Sequence, residues 1–97
     1  MTLKYPVAYI ISYDLKQPVA KYTPLLQELQ RSDKWAHFLT NTWIVLRTET
    51  LVELAPKLRG LMFATDRLLI MPAKGPPDGF LPEEAWKWID ENVPREW

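Results

Sequence analysis

Asp14 is the ionisable residue whose placement most suggests chemistry. It follows Tyr13 at the end of an apolar run, and Lys16 and Lys21 come soon after it. Mg2+ takes octahedral oxygen ligands and is usually held by one or two carboxylates together with waters and phosphate. One Asp per chain is thin for that. Two copies meeting across a dimer axis would supply a paired site, able to activate water beside a phosphodiester. The plainer alternative is that Asp14 accepts hydrogen bonds from the loop that follows. Lys16, Lys21, Arg31 and Arg47 lie in the same half of the chain. As phosphate contacts they would position nucleic acid without reading its sequence; otherwise they are an ordinary solvated surface. Tyr13 and Trp43 would stack on bases, unless core or interface packing claims them. The single His37 reads as a structural residue rather than a general base. Asp66 reads as a turn cap, within reach of an ion pair with Arg67 or another neighbour.

Composition narrows the chemistry. The 97 residues hold no Cys and one His, which removes disulfides, thiolate catalysis, Cys-based zinc sites and any two-imidazole mechanism within one chain. Twelve basic and twelve acidic residues balance to zero, unlike a polycation that binds by neutralising phosphates. The balance is uneven along the chain. Residues 1–48 carry six basic groups against three acids, and residues 49–97 carry six against nine. A polyanion would therefore meet the first half. No Gly-rich phosphate loop and no Ser-His-Asp set is present. No apolar run approaches the roughly 20 residues of a membrane span, and MTLKYPV lacks a signal-peptide core, so a cytoplasmic protein without a membrane partner is expected.

The elements that must position these residues can be read from periodicity. Val7–Leu15 is rich in β-branched and aromatic residues and predicts a central strand, with Val7, Tyr9, Ile11 and Tyr13 on one face. A helix follows, either with Thr23 as its N-cap and Pro24 at its first position, or from Val19 with a kink at Pro24. Tyr22, Leu25, Leu26 and Leu29 form its apolar stripe, and Ser32-Asp33 closes it. Residues 35–40 and 42–48 predict a hairpin around Asn41. Thr50-Leu-Val-Glu53 is a capping box, and a helix runs to a stop at Gly60. Pro56 inside it predicts a kink or a late start. Arg67–Met71 predicts a fourth strand that Pro72 ends. Residues 72–97 are a Pro/Gly-rich loop and a terminal helix opened by Pro82-Glu83-Glu84, with Trp86, Trp88 and Trp97 in it.

The order β-α-β-β-α-β with an additional C-terminal helix predicts one α+β, ferredoxin-like domain over residues 1–97. Both of its helices would cover one sheet face, yet several strands are apolar on two sides. The second face needs a cover, either the terminal helix or a second copy of the chain, with residues 72–97 able to dock on the partner subunit.

The chain also resembles a known superfamily. Tyr13-Asp14-Leu15 ending a strand, Asn41-Thr42-Trp43 opening another, Asp66-Arg67-Leu68-Leu69-Ile70 and Leu81–Trp86 are similar to motifs of its SinR-like branch. The superfamily includes the small CRISPR-associated protein of the spacer-adaptation complex (its second numbered family) and the virulence-associated protein D ribonucleases. The resemblance implies a ferredoxin-like homodimer with Asp14 and its symmetry mate at the interface. In active relatives that Asp supports Mg2+-dependent phosphodiester cleavage, with basic residues after the first strand and an aromatic on the hairpin. By position those roles fall on Tyr13, Asp14, Lys21, Arg31 and Trp43. The usual arginine-rich stretch is reduced here to Lys16 and Lys21, which lack the bidentate fork. The expectation is a dimeric adaptor binding RNA, DNA or a protein, with a magnesium-dependent endonuclease or endoribonuclease as the alternative.

Overall fold

In a computed structural model, residues 2–94 are described. The elements are β1 (Thr2–Asp14), a 3-10 turn (Val19–Tyr22), α1 (Thr23–Gln30), β2 (Lys34–Leu39), β3 (Thr42–Glu49), α2 (Leu51–Arg59), β4 (Arg67–Pro72) and α3 (Glu83–Asn92). The four strands form one sheet in the order β2-β3-β1-β4, and every neighbouring pair is antiparallel. Each crossover helix therefore skips over one intervening strand. This small α+β arrangement is compatible with a ferredoxin-like fold.

The period-2 pattern of β1 assigns its faces as the sequence predicts. Tyr9, Ile11 and Tyr13 join Trp43 and Val45 of β3 under Tyr22, Leu25 and Leu29 from the first crossover and Leu54 and Leu58 from α2. Burying aliphatic side chains of this size stabilises by about 1.5–3 kcal/mol each relative to exposure. The opposite face is covered in part by α3. Ile89 and Val93 pack with Ala8 and Ala73, and Ile44, Leu46, Trp86 and Trp88 close around them. The terminal helix thus lies against its own chain's sheet. Trp97 falls outside the described residues.

Local details depart from the sequence expectations in instructive ways. β1 begins at Thr2, five residues early, with an irregular register between Thr2 and Val7. Helical structure begins at Val19, as the second alternative has it, but as a 3-10 turn over residues 19–22 that runs directly into α1. Thr23 is consequently not the N-cap. It is the first α-helical residue, and its hydroxyl donates back to the Ala20 carbonyl at 3.2 Å. The capping box forms as read, with Thr50 and Glu53 satisfying each other's backbone N–H. Pro56 does not delay α2, which starts at Leu51. The carbonyl its missing N–H leaves without a helical donor belongs to Val52, 82% exposed, where water can serve it. Gly60 ends the helix in right-handed geometry, φ −65°, not in the left-handed conformation a glycine stop suggests.

Candidate functional site

α3 leaves part of the second sheet face open. The β1–β4 register sets Ile10 against Met71, Ser12 against Leu69 and Asp14 against Arg67, so these six residues line one strip of one face. Leu69 is 56% exposed, Met71 52% and Ile10 38%. An apolar strip on an open sheet face is costly to leave in water. At one end of it stands Asp14, with 61% of its side chain exposed and its Oδ2 2.7 Å from the Lys16 Nζ.

The loop after Asp14 is held by a partly buried hydrogen-bond network. The Asp66 carboxylate accepts from the Lys16 N–H at 2.8 Å, the Tyr22 hydroxyl at 2.8 Å and the Phe63 N–H at 2.8 Å. The Tyr22 oxygen in turn accepts from the Gln17 N–H at 3.0 Å. Burial opposes the charge on Asp66, but these three donors prevail and hold its carboxyl below the usual range. Burial, and then the Asp66 anion, push the Tyr22 hydroxyl up. Asp66 therefore caps the turn as expected, and it fixes residues 16–17 as well. The ion pair with Arg67 does not form, because the Arg67 guanidinium turns to the carbonyls of Thr65 and Asp66.

Three of the sequence candidates are interior residues. Trp43 is 2% exposed and donates its ring N–H to the Tyr13 hydroxyl at 2.9 Å. His37 stacks on the same indole at 4.0 Å and Trp35 tilts against it at 5.2 Å. A carbonyl can only accept, so the 3.0 Å contact from His37 to the Thr40 oxygen fixes its Nε2 as a donor. Arg47 is 7% exposed and bridges α1 to β3. Its Nη2 meets Glu28 at 2.7 Å, its Nε meets Glu49 at 2.5 Å, and its Nη1 donates to the Glu28 carbonyl and to Ser32. Lys57 closes the network on Glu49. The Arg47 contact, offset by burial and aided by Lys57, keeps the Glu49 carboxyl below its ordinary range. The faces of Tyr13 and Trp43 and the fork of Arg47 are thus spent inside the fold.

The remaining cations do not converge. Lys16 pairs with Asp14, and Arg31 leans on Glu28 at 3.5 Å. Lys21 is exposed on the 3-10 turn. A Lys ammonium occupies one Asp14 oxygen, and no cluster of three or more potential ligands exists among the described residues. No described helix is long and apolar enough to cross a membrane.

Sequence reasoning singled out Asp14 but not the strip beside it, although the doubly apolar run Arg67–Met71 carried the signal. Of the network around Asp66 only the turn contact with Phe63, three residues away, had a local signal, since its other partners lie 44 and 50 residues away in the chain. Comparison with protein-family models, with curated proteins and with solved structures finds no match for this chain.

Proposed function

We propose that the chain is a small homodimeric adaptor that binds a partner protein, and that two copies join through the open strip of Ile10, Leu69 and Met71. The observation that carries this reading is the strip itself, three exposed apolar side chains on adjacent central and edge strands. A two-fold pairing across it is self-complementary, because each copy offers the other the same apolar surface. A protein partner is favoured over nucleic acid on two grounds. The rings and the arginine best suited to bases and phosphates are internal, and Lys16 and Arg31 already face carboxylates.

One observation supports a second reading, a magnesium-dependent nuclease. The exposed Asp14 borders the strip, so pairing of two copies there would bring two carboxylates toward one axis. Incubation with labelled RNA and DNA over a range of Mg2+ concentrations separates the readings. The adaptor leaves both polymers intact and retains neither. Cleavage that disappears in Asp14→Ala would overturn it in favour of the nuclease.

A further inference from the structure

β4 pairs only with β1, and its outer edge is open. In an antiparallel ladder alternate residues bond to the neighbouring strand, and those between them point away. The Ala73 N–H donates to the Ala8 carbonyl, whereas the Tyr13 N–H turns the other way, to Asn41 of the β2–β3 hairpin. With the register of β1 and β4, the residues bonded inward are therefore Arg67, Leu69 and Met71. Leu68 and Ile70 aim their N–H and C=O groups outward. Pro72 has no N–H and limits the usable edge to this short stretch.

A groove of about 780 Å³ runs beside that edge, walled by Leu51, Ala55 and Pro56 of α2, by Phe63 of the following turn and by β4. Arg59 and Arg67 both line it and both are exposed. Among the described residues neither has a carboxylate partner. The one acid in the groove, Asp66, already accepts three hydrogen bonds. The groove is lined mostly by apolar residues and carries two arginines against one acid.

We propose that this edge takes an extended acidic segment of a partner protein, which adds to β4 as a fifth strand. The inference rests on the adaptor reading and names the chemistry of its partner. The backbone of Leu68 and Ile70 pairs with the segment, an apolar side chain enters the groove, and carboxylates meet Arg59 and Arg67. A row of alternating donors and acceptors matches a peptide backbone. A polyanion would satisfy the N–H groups and be repelled by the carbonyls between them. Edge-to-edge pairing of two copies would crowd four arginines, none with a carboxylate partner among the described residues, into one seam, where like charges oppose association.

The test is a titration of the full chain with a short, capped, fluorescent peptide alternating glutamate and valine, followed by polarisation and by amide hydrogen exchange. Saturable binding is expected, with new protection at the Leu68 and Ile70 amides. Affinity should fall roughly tenfold on Arg59→Glu with Arg67→Glu, or when lysine replaces glutamate in the peptide. Both arginines are exposed, so circular dichroism of the variant should match wild type; Arg59→Gln with Arg67→Gln gives a milder pair if it does not. Absence of binding, or binding without protection at Leu68 and Ile70, overturns the proposal. So does protection of those amides before peptide is added, which marks a second copy at the edge, or displacement of the peptide by oligouridine. A dimer that ignores the peptide sinks this inference alone. A monomer that binds it sinks the dimer and leaves the edge site standing.

Discussion

Asp14 stands directly across the β1–β4 ladder from Arg67, yet its carboxylate pairs with Lys16, two residues along its own chain. Arg67 turns instead to backbone carbonyls of the preceding turn. The acid that could have claimed the arginine is thereby left at the border of the open strip. An exposed pair of this kind contributes about 0–1 kcal/mol. Asp14→Ala should therefore leave the melting temperature nearly unchanged. A large loss would mean that Asp14 is buried in the working assembly.

Arg47 should behave in the opposite way. Removing it takes the buried guanidinium from both Glu28 and Glu49, themselves mostly buried, a change that costs roughly 3–5 kcal/mol. Urea unfolding of Arg47→Met should show a loss in that range. Arg47→Lys should fall between, since an ammonium cannot reproduce the fork that reaches α1 and β3 together.

The same network sets a pH dependence. Glu49 has a depressed folded-state pKa, so the folded chain binds fewer protons than the unfolded chain as acid is added. Its contribution is complete above the unfolded carboxylate value of about 4.3 and is lost as pH falls through the lower folded value. Asp66 acts with the same sign. Chemical denaturation across the acid range should give a falling stability curve, flatter in Arg47→Met. An unchanged slope in that variant would contradict the assignment.

The capping box offers a local check. Thr50→Ala removes the side-chain acceptor for the Glu53 N–H and should cost about 1 kcal/mol. Thermal unfolding against wild type reads this directly.

How far the sequence could be read depends on the range of each interaction. Thr50 and Glu53 are three residues apart, so their pairing was legible. So was the split of β1 into Tyr9, Ile11 and Tyr13 against Ile10 and Asp14, because strand alternation alone imposes it. Arg47 was not legible as an interior residue. Glu28 comes from another element, and only the packing of α1 onto β3 brings it within reach. Trp43 read either as a base-stacking ring or as a core residue, and only the placement of β3 beside Tyr13 decides for the core. The open strip lay between these cases. Apolar residues on both sides of β4 announced a two-sided strand, but only the resting place of α3 determines which of them stay uncovered.

If a second copy of the chain closes the strip of Ile10, Leu69 and Met71, a charge at Leu69 should separate the two copies. Static light scattering of the purified chain, with Leu69→Asp measured beside it, tests this most directly. Twice the 11.4 kDa chain mass is expected for wild type, and a folded species of single-chain mass for the variant. Wild type at single-chain mass up to its solubility limit, or a variant that remains dimeric, would contradict it.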